Sequence, residues 1–358
     1  MGPCSLVRGA AVTAIVVLGA ACAHSGGVRE EPAAAGGMLV VLNKGAASAS
    51  LIDPRSGETV ATIPTGAGPH EVAVAPGGKL AVVTDYGADT PGSTLTVIDL
   101  DARTVARTID LSPLRRPHGV AWLPDTQRVV VTAEADSALA VVNVRTGRVE
   151  GTVATGQGVS HMVALSPDGS RAYVANIGSG SVSMIDVAGR FLVRTTPTGA
   201  GAEGIAVTPD GAELWVTNRA ANTVTVLDAE TLAPRDTLAS ANFPIRVTFT
   251  PDGELALVTN ARSGELRIFD RWTRDTVATI PMRSDTTAAR GTILGASLGE
   301  TPGTGVPIGV LVSPDSRTAY VANANVDAVT VVDLVELRVT GYLKTGREPD
   351  GLGWIERE

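Results

Sequence analysis

Three of the four histidines, His70, His118 and His161, stand at the same place in three successive stretches of a repeating sequence, PHEV, PHGV and SHMV. The fourth, His24, lies in a Gly- and Ala-rich segment near the N-terminus. Neutral imidazole is the commonest transition-metal ligand, and a carboxylate oxygen completes such sites. The next repeat puts Glu203 at the same place, so His70, His118, His161 and Glu203 form a candidate set for one ion of Zn, Fe or Cu. The remaining repeats carry Ile245, Ile308 and Asp350 there, and Arg246 beside Ile245 is a candidate contact for an anion. The bland reading stands beside this one: duplication by itself reproduces a position, and such a His can simply bond a neighbouring carbonyl.

The elements that must hold these residues are read from the repeat. A turn written APGG, LPDT, SPDG, TPDG, TPDG and SPDS recurs at 75–78, 123–126, 166–169, 208–211, 250–253 and 313–316. Pro presets φ and Gly supplies positive φ, so these are turns between strands. Apolar strands follow, such as LVVLN at 39–43, AYVAN at 172–176 and LWVTN at 214–218. Third strands end in Asp53, Asp99, Asn143, Asp186, Asp228, Asp270 and Asp333, at spacings of 46, 44, 43, 42, 42 and 63 residues. A fourth strand reads TVATIP at 59–64 and again at 276–281. Short strands at such regular spacing mean an all-β array, and stacking four-stranded units radially buries both faces of each. The expected fold is a single seven-bladed β-propeller of four antiparallel strands per blade. The chain begins on a second-type strand and ends on DGLGWI, a first-type strand. The last strand is therefore expected to close the first blade, with 351–355 beside 39–43.

The motifs quoted above resemble the YVTN-type β-propeller repeat family over roughly residues 38–356. The resemblance implies the propeller fold. It does not imply an activity, because one fold hosts many functions.

At the ends of the second strands, Asn43, Asp85, Glu134, Asn176, Asn218, Asn260 and Asn323 are read as lying at the same mouth of the channel as the histidines. Asn there serves a turn more often than a ligand. Asp85 and Glu134 break the Asn pattern in what read as the blades of His118 and His161, and with Asp350 and Arg246 they complete a candidate ligand-binding funnel. The period breaks once, at an insertion over 283–306 expected at the same mouth. Trp122, Trp215, Trp272 and Trp354 read as packing residues.

Residues 1–23 read as an export signal, with Arg8 ahead of an apolar run from Ala10 to Ala23. LGAAC at 18–22 resembles a lipobox, making Cys22 the expected lipidation site; ordinary cleavage and secretion is the alternative. Residues 24–37 read as a tether and 38–358 as the propeller. Both cysteines, Cys4 and Cys22, fall in the leader, so no disulfide is expected in the folded part. The net charge of −8 disfavours nucleic acid or an anionic membrane as a partner, and removing the leader makes the chain more acidic still. A monomer is expected, held at a membrane only through a lipid, in the periplasm or cell envelope. No GxSxG, CxxC or HExxH motif is present. Two functions fit: a non-catalytic extracytoplasmic binding or scaffold propeller with a small molecule or protein at its top face, or a metal-dependent or oxidoreductase-associated propeller using the three histidines.

Overall fold

The structure, a computed structural model, describes residues 1–2, 36–282, 292–293, 296–297 and 304–356. The chain divides into two units, Met1–Ala34 and Ala35–Glu358, and the second is the propeller. Cys22, the expected tether up to residue 35 and most of the 283–306 insertion lie outside the described residues. Among the described residues no helix is long and apolar enough to cross a membrane.

Seven four-stranded antiparallel sheets surround a central channel. Blade 1 is sewn from both ends of the chain: Pro349–Glu356 is its innermost strand, followed outward by Gly37–Asn43, Ser48–Ile52 and Thr59–Pro64. Leu39 pairs with Trp354 and Val41 with Leu352, as the leftover strands require. The first strand begins at Gly37, one residue inside the expected tether. The innermost strands of blades 2 to 7 are Pro69–Val74, Pro117–Trp122, Ser160–Leu165, Ala202–Val207, Pro244–Phe249 and Pro307–Val312.

The second strands are buried on both faces, for example Val40, Val83, Val131 and Val174, because each sheet packs between two others. The Asp or Asn ending each third strand accepts from turn N–H groups, as Asp53 does from Arg55 and Asp270 from Trp272 and Thr273. Trp215 is fully buried, Trp122 donates to the Ala73 carbonyl and Trp354 stacks on Tyr320. Trp272 departs from the expectation. It sits in the turn after a third strand, 60% exposed, with the Arg271 guanidinium 4.2 Å from its ring.

Candidate functional site

Every innermost strand starts with the same irregularity. Its first residue pairs with the end of the second strand, as Pro69 does with Asp85, and the register then slips by one before Val72 meets Val83. The slip recurs in all seven blades. A bulge of this kind sets two residues against one and releases strict alternation. Consecutive side chains such as His70 and Glu71 can then both turn to the channel.

The second residue of each innermost strand forms an inner ring: Asp350, His70, His118, His161, Glu203, Ile245 and Ile308, from blades 1 to 7. One residue past the second-strand residue that pairs with the start of each innermost strand, a further ring lies over it: Lys44, Tyr86, Glu134, Ile177, Arg219, Ala261 and Ala324. The backbone N–H of each of these seven donates to the carbonyl of the residue just before its innermost strand, as Tyr86 does to Gly68 and Glu134 to Arg116. Glu134 therefore belongs to this upper ring, one place past Ala133, which is the true equivalent of Asn43 and Asp85.

The threonine of the second strand positions the inner ring. Thr84 accepts from the Glu71 N–H and donates to the His118 carbonyl of the next blade. Thr132 does the same for Gly119 and His161, and Thr259 for Arg246 and Ile308. Adjacent inner strands come close at this level. A Cβ at Gly119 would lie 2.9 Å from the His161 carbonyl oxygen, and one at Gly309 would lie 2.2 Å from that of Asp350.

The geometry brings the three histidines together. The ring centroids of His70 and His118 are 4.1 Å apart, and those of His118 and His161 are 3.5 Å apart. Tyr86 packs edge-on against both His70 and His118, at 5.1 and 5.5 Å. All of these side chains are buried, so the expected open funnel is instead a filled polar layer.

Charges knit the layer together. Asp350 Oδ2 is 3.0 Å from His70 Nδ1, in ion-pair range although off the line of a hydrogen bond. Lys44 Nζ donates to His70 Nε2 at 3.1 Å, which leaves Nδ1 as the protonated nitrogen. His161 Nδ1 meets Glu134 Oε2 at 2.7 Å, and its Nε2 lies 3.4 Å from Glu203 Oε1. Tyr86 Oη donates to Glu134 Oε1 at 2.6 Å. Arg219 donates to Glu203 at 2.8 Å. Arg246 donates to Glu71 and lies 3.8 Å from Glu203, so it spans the channel between blades 6, 2 and 5. It is a buried structural cation rather than a rim group.

The protonation states follow. Burial opposes the imidazolium at His161, but hydrogen bonds and charges from Glu134 and Glu203 outweigh it and hold the group above the ordinary histidine value. Burial pushes His118 well below that value, and the neighbouring imidazoles add to it. His70 also falls, because burial outweighs Asp350. Burial raises Glu203 and Glu134, yet their hydrogen bonds to His161 bring both below the usual carboxylate range.

His118 is the exception in this network. It is completely buried, and neither ring nitrogen has a hydrogen-bond partner. Two groups of donor atoms surround it, His70/Glu71/His118 and His118/Glu134/His161, each with its ligand atoms within 4.8 Å of one another. The structure thus groups His118 and His161 with Glu134 rather than with the Glu203 that the repeat suggested, and His70 with Glu71. Glu134 is the better-placed donor, while Glu203 is tied to two arginines.

Asp85 does not join the layer. It takes the place of the Asn in other blades, accepting from Thr94, Thr96 and the Gly66 N–H. Asn43 makes the equivalent contacts with Ser48, Ser50 and Gly346. At Gly66 a Cβ would fall 2.4 Å from Asp85 Cγ, which is why glycine precedes the inner strand. The opposite end of the channel differs in kind: a cavity of about 550 Å³ there is lined by turn prolines 76, 251 and 314 with Val74, Val312 and Trp354.

The fold, its closure and its repeat agree with a comparison of families. The model of the family described as lactonase, 7-bladed beta-propeller, matches residues 43–293. The chain belongs to this family. The YVTN-type family is not the one matched, though it too is a compatible propeller family. No curated protein sequence matches the chain. Among solved structures, this lactonase-family propeller is similar to hydrazine synthase of Kuenenia stuttgartiensis, with a TM-score of 0.66 and 19% identity over 79% of this chain and 88% of that one. It is also similar to a functionally unknown protein from Desulfotomaculum acetoxidans, with a TM-score of 0.71 and 15% identity over 90% of this chain and 99% of that one. At these identities the likeness is one of fold.

Proposed function

We propose that this lactonase-family chain is an exported, extracytoplasmic binding propeller that takes a small polar ligand at the mouth carrying the two rings. The observation that carries this reading is the asymmetry of an otherwise regular repeat. Blades 1 to 5 place ionisable or hydrogen-bonding groups at one or both ring positions, from Lys44 and Asp350 through Tyr86, His70, His118, Glu134 and His161 to Glu203 and Arg219. Blades 6 and 7 place Ile245, Ala261, Ile308 and Ala324 there. Packing alone would be served by apolar residues all round, and burying charge is costly unless every group is partnered. Anchoring through a lipid on Cys22 fits the leader and keeps the propeller outside the cytoplasm.

The test is native mass spectrometry of the mature protein, purified without a histidine tag. A small molecule should travel with the wild type and be lost from an Arg219→Ala, Glu134→Gln double variant that keeps its far-ultraviolet circular dichroism. The same bound mass on both proteins, or none on either, removes the reading.

The family name favours a second reading, opening of a lactone. That reaction adds water across the ester C–O bond and releases a proton at neutral pH, so a pH-stat follows it directly. His161, between Glu134 and Glu203, is the group placed to pass a proton. Turnover of gluconolactone or dihydrocoumarin above the spontaneous rate, lost in His161→Ala, would replace the binding reading with this one.

A further inference from the structure

We propose that the ligand of the channel mouth includes one transition-metal ion, held by His118, His161 and Glu134. The inference rests on the reading of this mouth as a binding site and names what it binds.

Buried polar atoms in folded proteins nearly always have partners, and each exception calls for an explanation. At His118 a fully buried imidazole has none at either nitrogen, whereas His70 is bonded by Lys44 with Asp350 in ion-pair range, and His161 lies between Glu134 and Glu203. A neutral imidazole flanked by two others at 4.1 and 3.5 Å has one lone pair with no donor to receive it. A metal ion supplies the missing partner.

The charge count points the same way. The carboxylates in the layer are Glu71, Glu134, Glu203 and Asp350, and the fixed cations touching them are Lys44, Arg219 and Arg246. Arg246 neutralises Glu71, Arg219 neutralises Glu203 and Lys44 lies 4.0 Å from Asp350. Glu134 is left with only the Tyr86 hydroxyl and the titratable His161 on its oxygens. It is the carboxylate that lacks a fixed cation, and it lies beside the histidine that lacks a partner. An ion replaces the proton shared by His161 and Glu134, and that proton leaves to solvent.

Reach and support are adequate. Donors around a tetrahedral ion at about 2.0–2.1 Å lie about 3.4 Å apart, so a 4.8 Å set closes by on the order of 1 Å, within side-chain rotation. Tyr86 Oη on Glu134, and the Thr84 and Thr132 hydroxyls on the carbonyls of His118 and His161, hold the donors from behind. Metal ligands are commonly oriented in this way. Imidazoles with one carboxylate select Zn, Cu or Fe over Mg or Ca, which prefer oxygen alone.

The experiment is isothermal titration of the mature, untagged protein, stripped with EDTA, against ZnCl2 and CuCl2, with elemental analysis of the protein as isolated. One equivalent should bind, and His118→Ala and Glu134→Gln should each weaken it by at least about 100-fold. Circular dichroism of the metal-free variants separates lost ligands from lost folding, and Asp85→Asn, which lies outside the layer, should retain binding. Binding by His118→Ala equal to the wild type, no binding by the wild type, or two equivalents overturns the single-ion site. An organic molecule still seen by native mass spectrometry would leave the broader binding reading standing after such a failure.

Discussion

At the scale of single residues, the layer separates three chemically identical side chains by their surroundings. His161 has carboxylates at both nitrogens, His70 has Lys44 and Asp350, and His118 has neither. In the metal-free protein, ring ¹⁵N NMR should therefore show His161 titrating above the ordinary histidine value and His118 well below it. Because the folded value of His161 is raised, its stabilising contribution is complete below the unfolded value near 6.5 and is lost as pH rises through the folded value. Glu134→Gln should lower the His161 titration and reduce that dependence. An unchanged His161 titration in this variant would mean that the 2.7 Å contact does not govern it.

At the scale of the element, the end of the second strand has one structural task, met by Asn in five blades and by Asp85 in blade 2. Burial lifts the Asp85 carboxyl to about 6, against the lowering effect of Thr94, Thr96 and the Gly66 N–H. A raised carboxyl favours the fold at low pH and costs stability as pH rises from the unfolded value of 3.8 through about 6. At about 1.4 kcal/mol per pH unit, the cost above that window is of order 2–3 kcal/mol. Asp85→Asn should accordingly raise the melting temperature at pH 8 by several degrees and leave it nearly unchanged at pH 4. A variant that melts lower at pH 8 would show that the carboxylate is preferred there. Asp85 also shows how far the sequence carries. The strands, their order and the shared position of His70, His118 and His161 were legible because period and turn chemistry repeat. Asp85 read as a funnel residue because its strand-end position does not reveal that its side chain turns back to Thr94 and Thr96. Glu134 was recognised but set one place early. Lys44, Tyr86 and Arg219 were missed, although counting one residue past that strand-end position finds them. Glu71 was hidden by the bulge, since strict alternation sends the residue after His70 away from the channel.

At the scale of the molecule, one strand both closes the ring and contributes to the polar layer. Pro349–Glu356 supplies Asp350 to the inner ring and pairs with Gly37–Asn43 at the other end of the chain. Its outward contacts join blade 1 to blade 7, where Trp354 stacks on Tyr320 at 5.8 Å, and Ile355 enters the core formed by Met38, Val40 and Leu42. Truncation after Glu348 removes the burial of Leu352, Trp354 and Ile355, worth about 1.5–3 kcal/mol for each large apolar side chain. It also exposes an unpaired edge along 37–43. At about 2–4 °C per kcal/mol for a chain of this size, the melting temperature should fall by on the order of 10 °C or more, with aggregation at the bare edge. The closure is non-covalent, so the position of the strand in the sequence should not matter. A permuted chain with residues 349–356 placed ahead of Gly37 through a short Gly/Ser linker should recover most of the lost stability. Truncation with no change in melting temperature, or a permuted chain no more stable than the truncated one, would show that blade 1 does not depend on this strand for closure.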